Sequence, residues 1–360
     1  MPQVGLGKDA LNFCGVFKEP SHQKAFRVAR HIKRLVLLFR SIRLIDVRLM
    51  GTCKKDGTDL RLRYMGEGES LTYYKNLCFS EDCDETTSFC SLPALRRLCA
   101  RAGGGKPSFV FGGRTAGRQP LAETSLDEVV VVEVNRILER FLPGVGWLTF
   151  PWVRQKVDLK ADCLQRSATI RARSAGKTRK FGQQIEISIS EEVVRRFYRE
   201  MYVPYIQARY GHEAHLRSLD EIRKTVKHGF LIRVFEKGQW ISGAVCGLRG
   251  RQATLFAVGM VPDYRQHLRH GALSSIYLFL LQWAQRHGIE SIDLLRSRPH
   301  GDDGVFNHKK AWGADIAEDG WTHTCIRIVL PAGCRLPSCL KRQLVRSGEG
   351  FAELKELWKA

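Results

Sequence analysis

Residues 183–330 alternate short apolar strands with amphipathic helices, and this order constrains the fold more than any other feature of the chain. Apolar positions recur every second residue in the strands and every three or four residues in the helices. The predicted elements are, in order, a strand over 184–188, helices over 190–211 and 218–228, meandering strands over 230–236, 240–248 and 252–261, a helix over 271–287, a strand over 291–295, a helix over 303–312 and a strand over 321–330. This order predicts the α+β class, with a mixed sheet flanked by helices.

The first 165 residues carry weaker signals of secondary structure. We predict a basic amphipathic helix over 27–43, a strand over 60–64, a polar loop over 67–91 and a helix over 126–142 that Pro143-Gly144 closes. These elements are consistent with a separate N-terminal lobe.

A basic stretch separates the two halves. It contains six cations and no acid, namely Arg166, Arg171, Arg173, Lys177, Arg179 and Lys180. We interpret residues 166–182 as a hinge. The stretch is either a solvated linker or a clamp that faces phosphates.

The chain carries a net charge of +21, which favours anionic partners such as phosphates, nucleic acid or anionic lipid. The basic helix over 27–43 is compatible with peripheral contact with an anionic membrane, but a solvated cationic face is the commoner explanation of such a helix. The apolar runs are far shorter than the roughly 20 residues that a spanning helix needs, so no integral membrane segment is expected.

The cysteines do not indicate a metal site. There are 11 of them, with no C-x-x-C pair, and the densest group (Cys78, Cys83, Cys90 and Cys99) matches no common zinc spacing. The N-terminus shows no secretory signal. We therefore predict a cytoplasmic protein with reduced cysteines and no bound metal.

Short motifs in the second half resemble a known superfamily. They are, in order, Gly243-Ala244, Arg269-His270-Gly271-Ala272-Leu273, Gly288, Ile292-Asp293-Leu294, and the segment Asp303 to Ala314 with Lys309, Trp312 and Gly313. Together with the order of elements, they resemble the GNAT acyltransferases. The motifs after Gly288 resemble the FemAB-like and CelD-like branch, and the resemblance extends over about residues 183–320.

The resemblance implies a domain organisation and a reaction. The implied parts are a degenerate GNAT-like lobe over 1–165, the hinge over 166–182, a catalytic GNAT-like domain over 183–330 and a helical C-terminal tail over 331–360. The implied reaction moves an acetyl or aminoacyl group from an activated donor to an amine or hydroxyl acceptor, in envelope or polysaccharide biosynthesis. The implied donor is an acyl-CoA or an aminoacyl-tRNA.

Acyl transfer needs a binding site for the donor phosphate. The N-terminus of the helix that begins at Gly271 offers backbone N–H groups and the positive end of the helix dipole. The predicted donor-binding residues are Arg265, Arg269, His270, Gly271 and Ala272. The alternative is an ordinary junction between a loop and a helix, with exposed arginines.

Two residues are candidates for catalysis. The resemblance places Lys309 near the acyl carbon, where a cation stabilises the oxyanion; alternatively, Lys309 is a solvated lysine beside Lys310. Asp293 either orients the acceptor amine or accepts its proton; alternatively, it is a capping aspartate or pairs with Arg296.

The predicted acceptor-binding residues are Tyr205, Arg296, Ser297, Arg298 and Trp312. For Tyr205 and Trp312, packing in the core is the alternative. Two other functions remain open for the whole chain: an RNA- or tRNA-binding protein without catalysis, which the charge suggests, and a degenerate GNAT-like partner protein in an assembly.

Overall fold

The computed structural model describes residues 44–80, 83–90, 128–139, 146–159, 163–211, 214–318, 323–330, 335–348 and 350–358. These residues belong to two compact units. Unit 1 comprises 154–296 and 307–317, and the remaining described residues form unit 2. The predicted basic helix over 27–43 lies outside the described residues.

The strands of the described residues are β1 (Leu44–Thr52), β2 (Asp59–Gly66), β3 (Asp84–Cys90), β4 (Val129–Asn135), β5 (Trp147–Thr149), β6 (Val153–Asp158), β7 (Gln184–Ser188), β8 (Gly229–Glu236), β9 (Gln239–Arg249), β10 (Gln252–Met260), β11 (Ser291–Ser297), β12 (Asp315–Glu318), β13 (Thr324–Val329), β14 (Leu344–Ser347) and β15 (Gly350–Glu353).

The helices are α1 (Leu71–Cys78), α2 (Arg136–Glu139), α3 (Cys163–Arg166), α4 (Ala168–Lys180), α5 (Glu191–Phe197), α6 (Val203–Tyr210), α7 (Leu219–Lys227), α8 (Tyr264–His270), α9 (Ala272–Arg286), α10 (Gly304–Ala311) and α11 (Leu354–Leu357). A π-helical segment, Tyr198–Tyr202, joins α5 to α6. No described helix is long and apolar enough to cross a bilayer.

Unit 1 is built on a seven-stranded sheet in the order β12-β6-β11-β10-β9-β8-β7. Strands β7 to β10 pair antiparallel, whereas β10 and β11 pair parallel. Alternate residues of β8 enter two different cores: Ile232 packs in the core that contains α9, and Leu231 packs in the core that contains α5 and α7. Helices therefore cover both faces of the sheet.

Unit 2 contains a six-stranded sheet in the order β3-β1-β2-β4-β13-β5. Only β2 and β4 pair parallel among the registers described for this sheet. Strands β14 and β15 form a separate hairpin. The predicted α+β class, with mixed sheets flanked by helices in two bodies, is confirmed.

The elements predicted between residues 184 and 312 are confirmed, with ends that differ by a few residues. Ser218 and Glu221 form the predicted capping box, in which the Ser218 hydroxyl accepts from the Glu221 N–H and the Glu221 carboxylate accepts from the Ser218 N–H. The agreement follows from strong local signals, because caps, turn glycines and apolar periods all favour the same elements here.

The structure differs from the predictions in four places. Residues 129–135 form β4 instead of a helix, because a run of valines is buried in the middle of a sheet. The predicted loop over 67–91 contains α1 and β3, and the predicted helical tail contains the β14–β15 hairpin and only the four residues of α11. The predicted hinge is largely the helix α4.

Candidate functional site

Strands β10 and β11 pair only at their first residues and then diverge. Their parallel register runs from Gln252 opposite Ser291 to Thr254 opposite Asp293. Strand β10 continues to Met260 and β11 to Ser297, and the described register contains no further pair between them. The sheet of unit 1 therefore opens between two of its central strands, and ligands of open sheets commonly bind at such a crevice.

Asp293 sits where the divergence begins and is buried. One carboxylate oxygen accepts the Leu295 N–H at 2.9 Å, and Leu295 has a φ of 61°, which is rare for a bulky residue. The other oxygen pairs with Arg154 of β6 at 2.7 Å and accepts from Gln252 of β10 at 3.5 Å. Asp293 thus links β6, β10 and β11 at the bend in β11. Its ion-pair partner is Arg154, whereas the sequence suggested Arg296.

The opposite wall of the opening is shaped by β10. The register between β10 and β9 shifts between Leu255 and Ala257, which is a β-bulge. Gly259 lies directly under the helical backbone, since a Cβ atom there would come within 2.7 Å of the Tyr202 nitrogen. The close approach brings the end of β10 against the helix that carries Tyr205.

Lys309 lies on α10 and is only 6% exposed. Its ammonium donates to the Arg296 carbonyl at 2.8 Å, at the end of β11. Lys310, the next residue, is exposed. Lys309 is therefore a buried cation beside the diverging strands, and the alternative of a solvated lysine is excluded in this structure.

An aromatic cluster in unit 1 includes His308, the neighbour of Lys309 on α10. The Tyr205 hydroxyl accepts from Arg209 at 2.6 Å, and the Tyr205 ring meets Tyr264 edge-on at 5.0 Å. The Tyr277 ring contacts His308 at 4.9 Å. Arg209 interacts with both aromatic pairs: it donates to Tyr205, and its positive charge acts to lower the pKa of Tyr277 and of His308.

His308 is held neutral at physiological pH. Burial lowers the pKa of its imidazole to about 4, and the charges of Arg209 and Lys309 act in the same direction. Its Nε2 is buried and has no hydrogen-bond partner among the described residues. Burial likewise raises the pKa of Tyr205 and of Tyr277, so both phenols stay protonated. The cluster thus offers neutral hydrogen-bonding groups beside the buried charge of Lys309.

Trp312, predicted to bind the acceptor, is fully buried and stacks on Tyr277 at 5.3 Å. This burial favours the alternative that Trp312 packs in the core. Tyr205 is also largely buried, but its hydroxyl belongs to the polar cluster.

Arg296 is exposed at the end of β11 and contributes its carbonyl to Lys309. Ser297 and Arg298 belong to unit 2. There the Arg298 guanidinium lies 3.8 Å from the Trp152 ring centre and 4.5 Å from that of Tyr73, and it donates to the Pro151 carbonyl. The predicted acceptor residues are therefore divided between the units.

The predicted donor-binding residues lie at the junction of α8 and α9. Arg265 and Arg269 are exposed on α8, and Ala272, the first residue of α9, is buried. Gly271 separates the helices with a φ of 93°, a left-handed conformation that glycine adopts without strain.

The space beside Gly271 is already occupied. A Cβ atom there would come within 3.1 Å of the Lys177 side chain, and the Lys177 ammonium donates to the Arg269 carbonyl at 2.9 Å. The Gly271 N–H bonds to the Leu268 carbonyl. The Lys177 side chain thus occupies the space beside Gly271 that the sequence predicted for a donor phosphate.

Helix α4 brings the predicted hinge to this junction. The Thr178 hydroxyl lies 2.7 Å from the Ser275 hydroxyl of α9. Arg173, Lys177 and Lys180 are spaced by four and three residues and so share a face of α4, on which Lys177 reaches Gly271. The structure thus joins two cationic groups that the sequence left separate, and we call α4 and α8 together the basic surface.

Sequence reasoning missed Lys177, Arg209, Tyr277 and His308 as members of the site. Lys177 lies far from Gly271 in sequence, and Tyr277 is indistinguishable from the other apolar positions of α9. Only His308 carried a signal, since it stands directly before Lys309.

No known family model matches the chain, and no curated protein matches it. Several solved structures are similar to it at low identity. L-PGS from Bacillus licheniformis is 12% identical with a TM-score of 0.38, over 58% of this chain and 70% of that one. FemX is 11% identical with a TM-score of 0.37, over 78% and 83%. The ribosomal-protein-S18-alanine N-acetyltransferase from Escherichia coli is 14% identical with a TM-score of 0.27, over 43% and 98%. At these scores the likeness establishes neither an activity nor a substrate.

Proposed function

We propose that this protein is an acyltransferase that moves an acyl group from an anionic activated donor to an amine or hydroxyl acceptor, with its reacting centre in unit 1. The observation that carries the proposal is the opening between β10 and β11, which is bordered by the buried ammonium of Lys309 and the carbonyl that it binds. The order of elements and the motifs around Gly271 and Lys309 resemble the GNAT superfamily and support the same reaction.

The donor's phosphates would bind the basic surface. Arg265 and Arg269 are exposed on α8, and Arg173 and Lys180 are exposed on α4. Several cations on two adjacent helices suit a polyanion, whether the diphosphate of coenzyme A or the backbone of a tRNA. The donor is thus defined by its phosphates, and its identity is a matter for experiment.

The reaction forms a bond between the acceptor's nitrogen or oxygen and the acyl carbon, and the carbonyl oxygen becomes negative in the tetrahedral intermediate. When the intermediate collapses, the bond from the acyl carbon to the donor's sulfur or oxygen breaks, and the released thiol or hydroxyl takes up the proton that the acceptor loses. Lys309 places a buried positive charge at the end of β11, where its ammonium donates to the Arg296 carbonyl. We assign to Lys309 the stabilisation of the oxyanion. The neutral Nε2 of His308 would accept a hydrogen bond from the acceptor's N–H or O–H, and Asp293 is a positioning residue that maintains the bend in β11.

The test has two stages. Native mass spectrometry of freshly purified protein shows whether coenzyme A, an acyl-CoA or tRNA co-purifies. Isotope-labelled acetyl-CoA and a labelled aminoacyl-tRNA pool are then offered with amine and hydroxyl acceptors. Transfer of label from either donor supports the proposal. Salt-sensitive tRNA binding without transfer from either donor would favour a binding protein, and binding of neither would favour a degenerate partner protein.

A further inference from the structure

The end of β8 and helix α8 bring one carboxylate and two imidazoles together. Glu236 is the last residue of β8, and His267 and His270 lie one turn apart on α8. The Glu236 Oε1 atom is 2.8 Å from the His270 Nδ1 atom and 3.8 Å from the His267 Nδ1 atom. One ligand atom from each of the three residues lies within 4.8 Å of the others.

The Nδ1 atom of His267 faces this cluster without a hydrogen bond to any described residue. His267 is 8% exposed, and its Nδ1 atom is buried. Its Nε2 atom lies 3.7 Å from the Asp263 carboxylate, which is mostly exposed. A buried ring nitrogen without a hydrogen-bond partner, 3.8 Å from a carboxylate oxygen, is an arrangement that a cation between the two atoms would satisfy.

The other two ligands are already oriented. Gln183 donates to the second Glu236 oxygen at 3.1 Å, and Phe181 stacks on the His270 ring at a centroid distance of 3.9 Å. These contacts fix a carboxylate and an imidazole before any ion binds, which reduces the cost of assembling the site.

We propose that Glu236, His267 and His270 form a binding site for a divalent transition-metal ion of the zinc type. Two nitrogens and one oxygen are typical ligands of zinc and of other first-row ions. Ligands of one tetrahedral zinc ion lie about 3.3 Å apart. The distances of 2.8 and 3.8 Å bracket that value, and the ion would replace the hydrogen bond between Glu236 and the His270 Nδ1 atom.

The ion would tie the end of β8 to α8 directly before Gly271. His270 then serves as a ligand, in place of the donor contact that the sequence predicted for it. The cysteine spacing predicts no metal, whereas these ligands come from two elements separated by about 30 residues. The inference does not rest on acyl transfer, since a structural ion would bind here whatever the protein's activity.

The experiment titrates the full-length protein with Co²⁺, read by visible absorption, and with Zn²⁺, read by calorimetry. We expect one Co²⁺ ion to bind with d–d bands and without the sulfur-to-metal charge-transfer band of a cysteine site. Zn²⁺ should displace it and raise the melting temperature with concentration. Absence of stoichiometric binding to the wild type, or a spectrum with cysteine ligands alone, would overturn the proposal.

Variants identify the ligands. His267→Ala should abolish the Co²⁺ spectrum, whereas His287→Ala, an exposed histidine elsewhere in unit 1, should leave it unchanged. Asp263→Asn lies on the surface and should fold normally, so it keeps the test decisive if His267→Ala does not fold. We expect it to weaken Zn²⁺ binding about 10-fold, as loss of an orienting carboxylate does. Unchanged Zn²⁺ affinity in a folded His267→Ala, or in Asp263→Asn where His267→Ala does not fold, would refute the site.

Discussion

Lys309 is a lysine whose charge is buried and bonded to a backbone carbonyl. Burial of an ammonium is costly, so a lysine in such a place usually serves the fold or a reaction. The two alternatives differ in what removal of the charge does. If Lys309 stabilises an oxyanion, its removal acts on turnover; if it serves only the fold, its removal acts on stability.

We expect Lys309→Met to lower turnover about 100- to 1000-fold while leaving donor affinity nearly unchanged, because the oxyanion exists only in the transition state. Methionine keeps the apolar length and removes the charge. The measurement is kcat and the donor Kd, with the donor found by co-purification. Lys310→Met is the matched control, since its side chain is exposed and points about 100° away on the helix. Equal turnover in the two variants would remove Lys309 from catalysis.

Glu133 is a second buried charge-bearing residue, and it lies in unit 2. Its carboxyl accepts from the Tyr64 hydroxyl and from both the N–H and the hydroxyl of Ser70. Burial nevertheless dominates and raises the pKa of Glu133 to about 7, from an ordinary value of 4.5. The carboxyl is thus more readily protonated in the folded state than in the unfolded state.

This shift makes the stability of unit 2 depend on pH. Between pH 4.5 and about 7 the unfolded chain has released the proton and the folded chain still holds it, so stability falls as pH rises through this window. From pH 5 to pH 8 we expect stability to fall by about 2 to 3 kcal/mol through this residue. Glu133→Gln should remove that decrease. The free energies of unfolding in urea at the two pH values measure it, and an identical pH dependence in both proteins would contradict the assignment.

At the scale of elements, helix α4 allows a test of how the donor binds. The helix has no acidic residue, and its Lys177 meets the α8–α9 junction. If the basic surface holds a polyanion, the triple variant Arg173→Ser, Lys177→Ser, Lys180→Ser should flatten the salt dependence of tRNA binding. Removing one cation from a phosphate lowers the slope of log affinity against log salt by about 0.7 to 0.9, so the slope should fall by about 2.

A second triple variant separates the surface from general charge. Lys224, Lys227 and Arg286 are exposed cations elsewhere in unit 1, and their replacement by serine removes the same net charge. We expect its slope to match that of the wild type. If both variants lower the slope equally, binding follows net charge and the basic surface has no special function.

The predictions of helices and strands were correct where the local sequence signals agreed. They failed where contacts with distant parts of the chain determined the secondary structure. Glu221 three residues after Ser218 gave the start of α7 correctly. Residues 129–135 looked helical because acidic residues precede them and Pro143-Gly144 follows, yet their valines fit the middle of a sheet. Pairing partners far along the chain made the difference, since β4 lies between β2 and β13.

The site was predictable only in part, for a related reason. Lys309 and Asp293 could be singled out as candidates because they lie in compact motifs. The bend at Leu295, the contact of Lys177 with Gly271 and the cluster of Glu236 with two histidines depend on the packing of separate elements. Contacts between separate elements produce no periodic pattern and no characteristic spacing in the sequence.

At the scale of the whole molecule, the chain passes back and forth between the units. Unit 1 takes β6 from before the predicted hinge, and unit 2 takes β13, which the sequence assigned to the catalytic domain. In the sheet of unit 1, β6 lies between β11 and β12. The boundaries of a fragment that folds should therefore follow the sheets and differ from the predicted 183–330.

We expect residues 153–318 to fold as an isolated fragment and residues 183–330 to fail. The shorter start removes β6 and α4, so β12 is left without its neighbour in the sheet and α9 without the helix that packs on its first turn. The later end adds β13, whose buried side chains would be exposed without β4 and β5, an aggregation hazard. Circular dichroism during heating measures the result, with one cooperative transition expected for 153–318 and none for 183–330. A cooperative transition in 183–330 would mean that β6 and α4 are dispensable, and the domain boundary predicted from the sequence would then stand.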